Sequence, residues 1–511
     1  MRKIFSLFIC TTLLCSCTTG LPTRINVQGG TVEGYADNGL TIFKGIPFAA
    51  PPLGNLRWKA PQPVIPWKGV LETKEYAQGP FQPGSTDTFS EDCLYLNVWT
   101  PAKSAQDKLP VLVWIYGGGF SIGWTGDPNY DCEAIARKSL ADSKESVILV
   151  SMNYRVGQIG FFSYPWLDAE SSSGTSGNYG LLDQIAALQW VKDNISKFGG
   201  DASRVTIFGQ SAGACSVSML CASPLAQGLF CGAISESGGS FAEPRETIYP
   251  GENIQDLANA EKCNRMIVEK LGVGSLEELR ALDASEFLQF GMEAGSWPIM
   301  DGYVIPGNQY NLYSEKRFND VNILIGYNSD EGEAFPLERP GRSHREGVIE
   351  RFSQEFADKL LQVYPLEIDG SAGKSARDLM RDVSFGWHTW TWAKLQSQNG
   401  KAPVYYYYFN QHPEYPVGAR HGYEVAYVFQ HVNNPMAQEE DYVLMDRMGE
   451  YWLNFARNGN PNGEGLPDWP QFTQDRHSVM YLVAPEPYVI PVPDESALEV
   501  LDGYFEWRRN N

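Results

Sequence analysis

The chain has 511 residues, 43% hydrophobic and 20% charged, with 14 Trp, 26 Tyr and 25 Phe. That profile excludes a disordered protein, a coiled coil and a collagen-like chain, and the length suffices to bury a large core. A net charge of −21 opposes a phosphate backbone, so nucleic acid is excluded as a partner.

Residues 1–16 have the pattern of an export signal. Arg2 and Lys3 precede a short apolar stretch that is too short to span a bilayer. Leu14-Cys15-Ser16-Cys17 follows and resembles a bacterial lipobox. Cys17 is then the lipidation site, and residues 17–26 form a tether to one domain over 27–511. Such a protein is exported and held at the cell envelope, touching membrane only through its lipid. Simple cleavage, giving a periplasmic or secreted protein, is the alternative. Of the later cysteines, Cys215, Cys221 and Cys231 lie in apolar surroundings and read as small buried hydrophobes. No metal-type CxxC pair occurs.

Strand-like apolar runs alternate with helical ones, which predicts an α/β fold with a largely parallel sheet. Strands are expected at residues 111–116, 146–154, 204–209, 321–328 and 402–409. Residues 178–197 and 449–458 carry helical spacing, the latter closed by the turn Asn458-Gly459-Asn460-Pro461.

Gly-x-Ser-x-Gly occurs twice, at Gly119-Phe120-Ser121-Ile122-Gly123 and Gly209-Gln210-Ser211-Ala212-Gly213. A nucleophile elbow needs a strand before the serine and a helix after it. Ser211 has both, whereas Ser121 runs into Gly-Trp-Thr-Gly-Asp-Pro, which cannot hold a helix. Gly117, Gly118 and Gly119 follow a strand and can aim backbone N–H groups at a developing oxyanion. A serine hydroxyl also needs a base, and the order in this kind of fold is Ser, acid, His. His412 and His421 follow the last long strand, and residue physics leaves both open. Asp330, Glu331 and Glu333 follow the 321–328 strand and are equally open as the acid. His388 reads as a packing residue, and His344, His431 and His477 as surface residues.

Several ordered motifs then coincide. Phe43-Lys44-Gly45-Ile46-Pro47 is followed by Ser90-Glu91-Asp92-Cys93-Leu94 and by the glycine loop. Asn153-Tyr154-Arg155, Gly180-Leu181-Leu182-Asp183-Gln184 and Phe198-Gly199-Gly200-Asp201 lead to the Ser211 elbow. Over nearly the whole chain after the signal, this resembles the type-B carboxylesterases, the cholinesterase-like branch of the α/β-hydrolase fold. The resemblance implies a large, mostly parallel mixed sheet flanked by helices. It implies catalysis by Ser211, Glu331 and His421, with the backbone N–H groups of Gly118, Gly119 and Ala212 as the oxyanion hole. It also implies structural ion pairs Arg57–Glu91 and Arg155–Asp183.

The chain departs from the family in places. Gln210 stands where a Glu is frequent, and residues 84–89 lack the Trp that holds a quaternary ammonium. Both disfavour a choline ester. No Cys lies in residues 78–82, so Cys93 lacks the usual disulfide partner, as does Cys263. The expected function is serine carboxylesterase on a small-molecule ester, with no cofactor or metal. A cell-envelope esterase removing acetyl or feruloyl-type groups from glycans is the alternative, and Trp387, Trp390 and Trp392 read as core packing or glycan contacts. A non-catalytic binding protein on the same fold is a third reading. Trp297 and Phe120 are candidate pocket-lining residues.

Overall fold

The computed structural model describes residues 20–511 except 142–143, 246, 248, 292–296, 338–342, 366–372 and 415–416. The expected export signal and Cys17 lie outside the described residues. Among the described residues no helix is long and apolar enough to cross a membrane.

Eleven strands form one sheet: β1 (Tyr35–Asp37), β2 (Leu40–Pro47), β3 (Tyr95–Thr100), β4 (Leu109–Ile115), β5 (Ile148–Met152), β6 (Gly200–Gln210), β7 (Gly232–Glu236), β8 (Asn322–Asn328), β9 (Val404–Phe409), β10 (Ser478–Leu482) and β11 (Tyr488–Pro491). Their spatial order is β11-β10-β9-β8-β7-β6-β4-β5-β3-β2-β1. Pairing is parallel from β5 through β10 and antiparallel at both edges. Every residue of β4, β5, β7 and β9 is buried. Those strands are covered on both faces, which is why they read as continuous apolar runs rather than as alternation.

Helices α1 (Tyr179–Asn194), α2 (Ala212–Ala222), α3 (Trp387–Asn399), α4 (Glu439–Asn458) and α5 (Glu495–Asn510) are among those that flank it. All of α2 is buried, and its small residues let it lie against the sheet. Helix α4 begins ten residues before the expected 449. Its first turn carries Glu439, Glu440 and Asp441, which suit a helix N-terminus but show no apolar period. Gly459, left-handed at φ 73°, closes it at the expected turn.

Trp387, Trp390 and Trp392 are all buried. The indole N–H groups of Trp387 and Trp390 donate to Asp502 and Glu495 of α5, so these residues pack the core. The ion pairs Arg57–Glu91 and Arg155–Asp183 are both made.

Two expectations about single residues are corrected. His344 is buried, not on the surface, because it opens a helix whose capping box, Ser343 with Glu346, fixes the chain there. Cys231 is exposed, not buried. It sits in the turn before β7, where the apolar neighbours Leu229 and Phe230 face inward instead.

Candidate active site

The strand order places β4 between β5 and β6, so the crossover from β4 to β5 runs one way and the next, from β5 to β6, runs back past β4 the other way. A ligand crevice forms at such a point, outside the carboxyl ends of the strands. Gly209 of β6 is in register with Ile115 of β4. The glycine loop leaving β4 and Ser211 leaving β6 therefore start side by side.

Ser211 sits at φ 57°, ψ −122°, between the strand and α2. That is a costly conformation for a residue with a Cβ, and the surrounding packing must hold it. Gly213 makes the close approach possible, since a Cβ there would lie 2.0 Å from the Ile115 carbonyl oxygen. Gly118 meets the same limit across the cleft. Its φ is +104°, and a Cβ would lie 2.3 Å from the Ile122 carbonyl oxygen.

The remaining groups arrive from the ends of β8 and β9. His421 Nε2 lies 2.8 Å from Ser211 Oγ, and His421 Nδ1 lies 2.5 Å from Glu331 Oε2. Glu331 is fully buried. Its other oxygen accepts from the Ser237 hydroxyl and, at 2.7 Å, from the Asn328 backbone N–H. Burial alone would lower the His421 pKa. The Glu331 carboxylate and its hydrogen bond outweigh that and hold the imidazole above its ordinary value. Phe385 stacks on the imidazole at 4.9 Å, and Phe335 meets it edge-on at 5.4 Å.

The Ser211 N–H donates to the Glu236 carbonyl at 2.9 Å, so it is not available to a ligand. Gly118, Gly119 and Ala212 line the same cleft, and their N–H groups have no protein partner among the described residues. Three backbone N–H donors are thus left free in the cleft that Ser211 also lines.

The other candidates fall elsewhere. Asp330 pairs with Arg377 and Glu333 with Arg420. His412 is not among the cleft-lining residues, and His388 is buried, its Nδ1 accepting from the Phe241 N–H. Ser121 lines the cleft, but its hydroxyl donates to the Gly119 carbonyl. Trp297 lines the cleft; Phe120 does not, being buried edge-on behind Trp297 at 5.6 Å. His431, expected on the surface, is partly exposed and lines the cleft.

Sequence reasoning missed three groups. Ser237 had no recognisable signal, because a buried serine at a strand end has no pattern of its own. Glu424 and Glu236 are buried carboxylates behind Glu331. Burial, with Glu331 close by, pushes Glu424 up to about 7. Burial raises Glu236 well above the carboxylate range, and the Trp452 indole donates to it at 2.7 Å. Gln210 sets its side-chain nitrogen 3.3 Å from His421 Nε2. No group of side chains able to hold a metal ion occurs among the described residues.

A serine at a strained strand-to-helix turn, in an α/β-hydrolase sheet and within reach of an acid-backed imidazole, defines the hydrolase class. The sequence profile of the carboxylesterase family matches residues 22–488. A fumonisin B1 esterase from Sphingopyxis macrogoltabida is 35% identical, the match covering 88% of this chain and 84% of that one. A liver carboxylesterase from Sus scrofa is 36% identical over 87% of this chain and 85% of that one. The solved structure of a PNB esterase superposes with a TM-score of 0.79 at 32% identity, covering 94% of this chain and 99% of that one. The chain belongs to the carboxylesterase family and is an ester hydrolase.

Proposed function

We propose that the protein hydrolyses carboxylic esters by two acyl transfers through Ser211. The observation that carries this reading is the 2.8 Å contact between Ser211 Oγ and His421 Nε2, with Glu331 on the other ring nitrogen. His421 takes the Ser211 proton as the hydroxyl attacks the ester carbonyl. Glu331 keeps the imidazole in the required tautomer and stabilises its cation. The N–H groups of Gly118, Gly119 and Ala212 receive the oxyanion, each donor contributing about 3 kcal/mol to the transition state. His421 then protonates the departing alcohol, and water, deprotonated by the same imidazole, releases the acid. The reading includes removal of residues 1–16 and lipidation of Cys17, supported by the lipobox pattern in the sequence.

The test is covalent. A fluorophosphonate probe is expected to block hydrolysis with one adduct, found on Ser211 by peptide mass spectrometry. Inactivation with the adduct on Ser121, or on no serine, would overturn the assignment.

Gln210 sets the pH range. Gln210→Glu puts a carboxylate about 3.3 Å from His421 Nε2 and favours the imidazolium. The base works only when neutral, so raising its pKa costs activity sooner as pH falls. The acid limb of the kcat/KM profile is expected to move upward by about one pH unit. A pH–rate series on one soluble ester checks this, and an unmoved limb would separate Gln210 from the base.

A further inference from the structure

The active-site cleft, of about 1360 Å³, is larger than the usual small-ligand pocket. Its two sides are chemically unlike. One side is apolar, with Cys215, Ile159, Phe287, Leu288 and Trp297 on the wall. These residues pack into the neighbourhood of Trp58, Phe120 and Phe162. The other side carries Asn129, Tyr130, His431 and Asn433. Tyr130 and His431 both gather around Phe429, at 6.3 Å each, so this wall is a separate place in the fold.

The chemistry orients an ester between them. The departing oxygen must meet His421 Nε2, because that atom returns the proton. Gln210 lies 3.3 Å from Nε2, and both Gln210 and Gly422 line the cleft. From Gly422 the lining continues through Val425 and Ala426 to His431 and Asn433. Part of the polar wall is therefore carried by the same stretch of chain as His421, whose Nε2 protonates the leaving group. Cys215 lies one turn along α2 from Ser211, on the apolar side.

The polar wall also has hydrogen-bonding capacity to spare. The Tyr130 hydroxyl, the His431 ring and the Asn433 amide make no hydrogen bond within the protein among the described residues. Together they offer donors and acceptors in a suitable array for several hydroxyls. The charges on this wall are engaged: Arg137, farther along, is paired with Glu133 at 2.6 Å and with Asp37, and the Asp131 carboxylate accepts from the Glu133 backbone N–H at 2.8 Å.

Resting on the esterase reading, we infer that the natural substrate is an apolar acyl ester of a neutral, polyhydroxylated alcohol such as a sugar. The apolar side holds the acyl chain and the polar side holds the alcohol. Attack by Ser211 Oγ forms the acyl–serine bond and breaks the bond from the acyl carbon to the sugar oxygen. That oxygen leaves with the proton from His421 Nε2. Water then supplies hydroxyl to the acyl carbon and a proton to the imidazole, which returns it to Ser211. Tyr130, His431 and Asn433 are specificity-determining residues for that alcohol.

The experiment compares three esters of one acid: 6-O-hexanoylglucose, methyl hexanoate and hexanoylcholine. For the wild-type enzyme, kcat/KM is expected to be at least about tenfold higher for the glucose ester than for either other ester. In His431→Ala/Asn433→Ala, and more weakly in Tyr130→Phe, that ratio is expected to fall toward one. Methyl hexanoate cleaved as well as the glucose ester by the wild type would overturn the inference and leave the esterase reading intact. Faster cleavage of hexanoylcholine would do the same, as would a preference for glucose that survives the double substitution. Folded enzyme that cleaves none of the three would overturn both.

Discussion

Ser211→Ala is expected to lower kcat on a short p-nitrophenyl ester by about 10⁵- to 10⁶-fold while leaving the protein folded. In the proposed mechanism Ser211 and His421 act as one unit, so removing the oxygen forfeits nearly all of the covalent route. On the proposed mechanism, what remains is the contribution of the three backbone donors and of substrate binding, typically about 10³- to 10⁴-fold over water. Alanine takes little space and adds no atom to the elbow. Its backbone must still adopt φ 57°, as Ser211 does, so the strain is unchanged and the fold is expected to tolerate it. Hydrolysis rates and far-ultraviolet circular dichroism, measured on the same preparation, check both halves. Activity within about tenfold of wild type would remove Ser211 from the mechanism.

The largest expected effect on stability lies away from the chemistry. Asp183→Ala is expected to cost about 3–5 kcal/mol, because it leaves the Arg155 guanidinium charged and alone in the core. Both side chains are essentially inaccessible. Asp183 accepts from the Arg155 backbone N–H at 3.0 Å, from Nε at 2.8 Å and from Nη2 at 2.7 Å. Arg155 Nη1 already has no partner, so nothing nearby replaces the lost carboxylate. The urea midpoint measures the effect. An apolar double replacement, Arg155→Met with Asp183→Leu, is expected to recover much of the loss, because it removes the buried charge together with its partner. Val156 and Gly157 line the cleft directly after Arg155. Activity in Asp183→Ala is therefore expected to fall at lower urea concentration than global unfolding requires.

The sheet was legible because its strands are buried on both faces. The runs at 111–116, 204–209 and 402–409 match β4, β6 and β9 closely. Between the two Gly-x-Ser-x-Gly matches, strand-before and helix-after was enough to choose, since an elbow is a local object. His421 and Glu331 were different. Each sits on a loop with equally plausible neighbours, His412 or Asp330 and Glu333, and nothing periodic separates them. The resemblance to a family was needed there, and the structure brings the two it indicated to Ser211. His344 was misread because exposure depends on which distant segment covers a residue. Phe120 was misread for the converse reason, since Trp297, 177 positions along the sequence, stands between it and the cleft.

Cys93, Cys132, Cys215, Cys221 and Cys231 are all thiols, and four of them are buried. Burial raises Cys93, Cys132, Cys215 and Cys221 above the ordinary thiol range, which keeps them protonated and unreactive at neutral pH. No covalent staple among these five shortens the unfolded chain, so they lend the fold no loop-closure advantage. Folding then needs neither an oxidant nor an isomerase for these five residues. At these five positions a reducing and an oxidising compartment are therefore equivalent, because no bond there has to be made or kept.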